Sequence, residues 1–535
     1  MNLKHSLLSF LFITASTLVS FSQNPMDNPM TQTLMKTYDQ LLEEDPHDAD
    51  VLFRRANIYY KCGDYLRALD DINMGFKYAE NSEFDTQQAL ELRANIYMML
   101  HKDEQALTDL NAVLANDPAN YIATYQRATA LYNLGRYNEA KADFRQLQLM
   151  NPRSQEALFG LARTAVKENN IGIAEELCDQ AVALTPTNSQ VYMRRAAVRT
   201  MMENDQGAVQ DYLVAISTDQ ESTPKAIREL VSLSRTNYPV VISGISGAIR
   251  QAPKNGIFYF LRAMIAQGHC NYLAAISDYD RIINEHLDSY PGINASLAEC
   301  YYALGNYDIA EVNIDYAISA TNDNTFYYVL KSRIERALGN TESAISCAEK
   351  ALEKEPESND ALIAKGLAEL SAGDAADASV CFSEAAMNNP EDPYLALLRG
   401  WVLADYRKQE TNAKRCYERV LDMDLPIDEI SSMRGFALLF LDKKEEGDTW
   451  MQRVLATAKD YDGEVNYYAT CYYAQSGDFD KAFKCMATSL EKGYANYHNW
   501  TNNDDARVNV APLRSDPRFN DLLNKYSILF KKVTD

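Results

Sequence analysis

The chain has 535 residues, 47% of them hydrophobic, and its 52 Lys and Arg against 75 Asp and Glu give a formal net charge of −23. That length supplies several separate cores or one continuous core of the kind a repeat array builds. The acidic balance makes a phosphate backbone or an anionic membrane surface an unfavourable partner, which argues against nucleic-acid binding.

The opening residues, MNLKHSLLSFLFITASTLVSFSQ, hold one lysine, an apolar run from Leu7 to Val19 and small residues Ser20 and Ser22 before Gln23. This is the pattern of a secretory signal peptide over 1–22. The first cysteine is Cys62, so no lipid anchor is indicated, and no later window reaches the roughly 18 apolar residues of a membrane span. The expectation is an exported protein, periplasmic or associated with an outer membrane. Residues 23–48 read as a polar leader and an N-terminal capping helix, from about Thr31 to Leu42.

Helical hairpins follow from residue 49. In Tyr121 to Pro152, small Ala128 and Ala140 alternate with large Leu131, Tyr132, Phe144 and Leu147 at three- and four-residue spacing, an apolar stripe on each of two helices. Gly135 can take the left-handed conformation that closes the first helix, and Pro152 stops the second. One hairpin cannot bury both stripes alone, and its neighbours recur at a fixed interval. Ala94, Ala128, Ala162 and Ala196 stand 34 residues apart, with Ala106, Ala140, Ala174 and Ala208 as their second-helix counterparts and Pro118, Pro152 and Pro186 at the closes. An interval of 38 between Ala56 and Ala94 places an insertion in Lys77 to Asp85.

A period of 34 with small residues where helices cross, Gly at the turn and Pro at the close resembles the tetratricopeptide repeat, although the consensus Trp of the first helix is absent. The resemblance implies an all-α, right-handed superhelical solenoid of about 13 hairpins with a C-terminal capping helix. The N-terminal array spans 49–220. Residues 221–255 form a degenerate repeat, with a break at Asn237-Tyr238-Pro239 and with Gly244 and Gly247 in its second helix. They predict either a change of curvature or an ordinary repeat whose glycines allow close packing. The C-terminal array spans 256–490, and 491–535 reads as a cap, with "LRSDPRF" leading to a closing amphipathic helix over Arg518 to Tyr526.

An arginine precedes the first-helix small residue at Arg55, Arg93, Arg127, Arg195 and Arg262, and Asp71, Asp109, Asp143, Asp211 and Asp278 stand opposite in the second helix. Where Leu161 replaces the arginine, Leu177 replaces the aspartate, so charge and partner vanish together. That is the signature of an intra-hairpin ion pair, because a partly buried arginine is costly without a facing carboxylate. Farther on the pairing becomes Lys331 with Cys347 and Lys365 with Cys381. Nine cysteines, an odd number without a CxxC pair, read as small buried hydrophobes, Cys347, Cys381, Cys416 and Cys485 at equivalent places in second helices.

By resemblance, first helices line the concave groove, and the positions that point into it map to Phe53, Asn57, Tyr60, Asn95, Met98, Tyr125, Thr129, Tyr132, Phe159, Arg163, Met193, Phe260 and Met264. Farther on they map to Tyr302, Arg333, Arg336, Tyr394, Trp401, Phe436 and Tyr467. Rings, methionines and amides suit a peptide segment. The Lys/Asn clamp with which some family members hold a C-terminal carboxylate is missing, since Phe53 and Glu91 occupy its lysine places. No HExxH, GxSxG, phosphate loop or metal-ligand cluster occurs, and the dispersed histidines read as surface or cap residues, so neither catalysis nor a cofactor is expected. The reading is an exported scaffold or adaptor binding a protein segment in its groove. A structural subunit using the convex face or the ends is the alternative, and glycan binding a third.

Overall fold

A computed structural model describes residues 28–79, 86–219, 223–287, 290, 292–426, 430–503 and 505–531. The signal peptide expected at 1–22 and most of the insertion expected at 77–85 lie outside them. The described residues fall into two compact units that meet in sequence between Gly244 and Ile245, and among them all regular structure is helical.

The N-terminal unit contains α1 (Pro29–Glu44), α2 (Ala49–Lys61), α3 (Tyr65–Tyr78), α4 (Thr86–Met99), α5 (Asp103–Asn116), α6 (Tyr121–Asn133), α7 (Tyr137–Met150), α8 (Gln155–Lys167), α9 (Ile171–Leu184), α10 (Ser189–Met201) and α11 (Asp205–Thr218). Next comes α12 (Thr223–Gln251), whose non-helical Asn237, φ −145° and ψ 60°, kinks it just before Pro239. The C-terminal unit continues with α13 (Gly256–Gly268), α14 (Tyr272–Asn284), α15 (Ile293–Ala303), α16 (Tyr307–Ala320), α17 (Thr325–Leu338), α18 (Thr341–Lys354), α19 (Asn359–Ala372) and α20 (Ala375–Asn388). It ends with α21 (Pro393–Trp401), which runs into a π turn, α22 (Glu410–Asp422), α23 (Ser432–Phe440), α24 (Lys444–Thr457), α25 (Glu464–Gln475), α26 (Phe479–Glu491), α27 (Tyr497–Thr501) and α28 (Pro517–Lys525). Taking the kinked α12 as one hairpin, the described residues from α2 to α26 form thirteen.

The hairpin α6–α7 shows why the chain folds this way. Asn120 caps α6 by accepting from the Ala123 N–H at 2.9 Å, which satisfies one of the orphan donors of a helix start. Gly135 turns the chain at φ +76°. Ala128 and Ala140 are fully buried, and one core runs from Leu107 of α5 through Phe144 and Leu147 to Leu161 of α8. Neighbouring hairpins therefore complete each other's stripe.

Rings are seated on missing side chains. A Cβ on Gly160 would lie 2.3 Å from the Phe144 ring, and one on Gly400 the same distance from the Tyr417 ring. In the degenerate repeat a Cβ on Gly244 would meet Val209 at 2.4 Å, so this glycine lets the second limb of α12 approach α11. An added methyl at such places costs roughly 1–3 kcal/mol through overpacking.

Candidate functional site

Each brace arginine holds two partner residues rather than one. Arg127 donates to both Asp143 oxygens at 2.8 Å, and its remaining nitrogen donates to Asn111 of the preceding hairpin at 3.2 Å. Arg55 grips Asp71 and reaches Asp39 of α1. Arg93 grips Asp109 and Asn73, Arg195 grips Asp211 and Asp179, and Arg262 grips Asp278 and Ser246. The fork geometry of guanidinium is what permits this, one edge bidentate to a carboxylate and one nitrogen left over. Asp211 also accepts from Arg199 at 2.9 Å. Burial still pushes its carboxyl above the usual range, against the pull of both arginines.

On the first-helix face of the N-terminal unit, Phe53, Asn57, Tyr60, Asn95, Met98, Tyr125, Thr129 and Arg163 are half-buried, whereas Tyr132, Phe159 and Met193 are buried. The Arg163 guanidinium lies 4.1 Å from the centre of the Tyr132 ring, and Asn95 accepts from Gln126 at 2.8 Å. Thr129 turns its hydroxyl back to the Tyr125 carbonyl. At the place of a clamp lysine, Glu91 accepts from Asn120 at 2.8 Å, so its charge faces a neighbouring repeat.

The C-terminal unit corrects the expectation of an open groove. Phe260 and Met264 are buried, the first stacked on Tyr290 with ring centres 4.9 Å apart. Trp401, Phe436 and Tyr467 are buried too. What covers much of this face is the chain's own segment from Tyr494 to Asn509, so the cap expected after residue 490 reaches far beyond the last hairpin. Trp500, fully buried, sets its edge on Tyr467, against which Tyr494 stacks. The His498 ring lies between two tyrosines, Nε2 at 2.9 Å from the Tyr302 hydroxyl and Nδ1 at 2.8 Å from that of Tyr307. Arg336 donates to both oxygens of Asp505 at 3.1 Å, Arg507 pairs with Asp405, and Gln475 donates to Asn509. Residues 302, 336, 405 and 475 are thus drawn to one segment. The closing helix α28 packs on the last hairpin, with Arg518 reaching Asp480 at 2.8 Å.

The electrostatics fit a sealed interior. Burial, with Arg336 nearby, lowers the His498 pKa to about 3, so the ring is neutral at pH 7, a buried group of the cap and not a surface one. Burial works to raise the Asp505 carboxyl, but the Arg336 charge and hydrogen bonds outweigh it and hold the group below its usual range. Glu299 of α15, buried and accepting from Gln267 at 2.7 Å, is pushed up to about 7 by desolvation. No His/Cys/Asp/Glu group that could hold a metal occurs among the described residues, none of their helices is long and apolar enough to cross a membrane, and all nine cysteines are free thiols.

Residues 37–70, 91–140, 125–189 and 329–393 match families described as tetratricopeptide repeat. These segments are tetratricopeptide repeats. Other proteins are similar over longer stretches of the chain. The rice (Oryza sativa subsp. japonica) DnaJ protein P58IPK homolog A is 23% identical over 426 residues, 73% of this chain and 83% of its own length. The wheat (Triticum aestivum) Hsp70-Hsp90 organizing protein is 24% identical over 235 residues, 42% of this chain and 39% of its own. Among solved structures, yeast Tom70 is similar over 76% of this chain and 99% of its own, with 14% identity and a TM-score of 0.36.

Proposed function

We propose that the protein is a non-enzymatic adaptor that takes a peptide segment of a partner protein on the first-helix face of its N-terminal unit. The observation that carries this is the register of the self-filled face. Tyr302 and Arg336, which grip His498 and Asp505, stand four residues after Ala298 and Ser332, the place that Tyr60, Met98 and Tyr132 hold after Ala56, Ala94 and Ala128. The positions that hold a stretch of the chain's own cap in one unit, there a short helix and a turn, are present in the other without such a stretch among its described contacts. The relatives named for co-chaperone organisation and J-domain proteins support a protein partner, while Glu91 and Phe53 in place of clamp lysines argue against a chaperone C-terminal carboxylate as ligand. The leader over 1–22 supports export to a bacterial envelope as the setting.

A photoreactive residue at Tyr125 should crosslink the partner in living cells, and Tyr125→Glu should abolish its co-purification while leaving the melting temperature within a few degrees. Partner retention by Tyr125→Glu would overturn the reading. One observation favours the structural-subunit alternative: Ile309, Val312 and Tyr316 of α16 form a stripe about half exposed, at the spacing of one helix face. Crosslinks mapping there, with Tyr125 silent, would select it.

A further inference from the structure

The segment from Tyr494 to Asn509 leaves one part of the C-terminal unit's first-helix face uncovered. At the N-terminal ends of α17, α19 and α21 opens a cleft of about 530 Å³, a size suited to several side chains of a ligand. Its floor is apolar and aromatic, with Phe326, Val329, Ile363 and Met433. Its rim is acidic, and among the described residues no lysine or arginine lines it.

Five carboxylates line the cleft, and two are committed. Asp392 caps α21 by accepting from the Tyr394 and Leu395 N–H groups, and Asp360 lies 3.7 Å from Arg333. Glu355, Glu391 and Asp424 are exposed. The nearby cation Lys354 pairs with Asp323 at 3.3 Å, outside the lining. Three helix N-termini would ordinarily draw an anion. Here Asn324, Ser358 and Asp392 already accept from those first-turn amides, and the added rim charge is negative. Asn359 of the lining keeps its Oδ1 buried, with no hydrogen-bond partner among the described residues.

We infer that this cleft docks a lysine- or arginine-bearing segment of a partner polypeptide, aliphatic stems on the Phe326 and Ile363 floor and cationic heads toward Glu355, Glu391 and Asp424. Long cationic side chains divide in this way between apolar surface and polar rim. The site is separate from the Tyr125 face and stands or falls without it.

The test is fluorescence anisotropy on the full chain at 150 mM salt with three labelled ten-residue peptides of alternating leucine and, in turn, lysine, acetyl-lysine or glutamate. The lysine peptide should bind and the other two should not. Neutralising the rim with Glu355→Gln, Glu391→Gln and Asp424→Asn together should weaken the lysine peptide about tenfold. The matched control Glu43→Gln, Asp70→Asn and Glu104→Gln should change it less than about twofold. Equal weakening by both triple variants would reduce the binding to the general attraction of an acidic chain and overturn the site, as would equal binding of the lysine and acetyl-lysine peptides. Should the rim variant not fold, the peptide series on the unaltered chain decides, together with hydrogen-exchange protection of the first turns of α17 and α19. Protection elsewhere only would also overturn it.

Discussion

In the N-terminal unit the same arginine recurs in every regular hairpin except α8–α9, where Leu161 stands, and ties its repeat to the one before, as Arg127 does with Asp143 and Asn111. In the C-terminal unit that ladder ends after Arg262. At the equivalent places Lys331 and Lys365 keep the backward link, to Asp315 and Glu349, and Cys347 and Cys381 stand where the forward aspartate stood. The C-terminal unit is held differently, by residues 494–509 threaded across helices up to 196 positions away in sequence. The contrast separates two ways of stabilising one repeat: nearest-neighbour braces, which leave the first-helix face free, and a distant segment, which consumes it.

The largest effect should follow from Trp500→Ala. Removing a fully buried indole is expected to cost about 3–5 kcal/mol, and hydrogen exchange should show the loss across α15 to α25 with α2 to α9 unchanged. Uniform loss in both units would break the comparison. Asp505→Ala should cost about 3 kcal/mol because it strands the Arg336 charge in a buried site, and Arg336→Met added to it should recover part of that loss in chemical denaturation. Arg127→Ala should cost about 2 kcal/mol, localised to α5 to α8, since it leaves a buried Asp143 unpaired. An unchanged melting temperature would show that the braces carry no stability.

The pH response should sharpen the contrast further. For His498 the folded pKa of about 3 lies below its ordinary 6.5, so its contribution is complete above 6.5 and falls with acidification by about 1.4 kcal/mol per pH unit. Glu299 acts oppositely. Its folded pKa of about 7 lies above its ordinary 4.5, so its contribution is complete below 4.5 and is lost as pH rises to 7. Between 4.5 and 6.5 the two should offset each other, and Glu299→Gln should uncover an acid-induced loss of C-terminal protection that its parent lacks. The smallest effect belongs to Lys365→Ala, below about 1 kcal/mol for a half-exposed pair with Glu349.

Much of this architecture could be read from residues alone, because it repeats. Small residues every 34 positions located the hairpins, and the joint disappearance of Arg and Asp at Leu161 and Leu177 pointed to the brace. The second partner of each arginine was nearly as periodic, sixteen residues upstream at Asp39, Asn111, Asp179 and Ser246 and twenty at Asn73 across the insertion, but its identity varies among Asp, Asn and Ser and so escaped a search for charge. The burial of Phe260, Phe436 and Tyr467 was hidden for another reason. Rings that pack and rings that bind occupy the same helical positions; for Tyr467 what separates them is the stretch YANYHNWTNNDDARVNV, which has no period, and for Phe260 and Phe436 it is the rings of Tyr290 and Tyr472. His498 looked like one dispersed histidine because Tyr302 and Tyr307 meet it only in space.

That separation has a temporal side. Each N-terminal hairpin finds its neighbours within about two repeats, so it can acquire its contacts while the chain is still being synthesised. Tyr302, Arg336 and Asp405 must wait for residues 498, 505 and 507. During that interval the C-terminal repeats expose their aromatic face to whatever is nearby, and a stretch of chain that emerges after all of them is the one that ends the exposure.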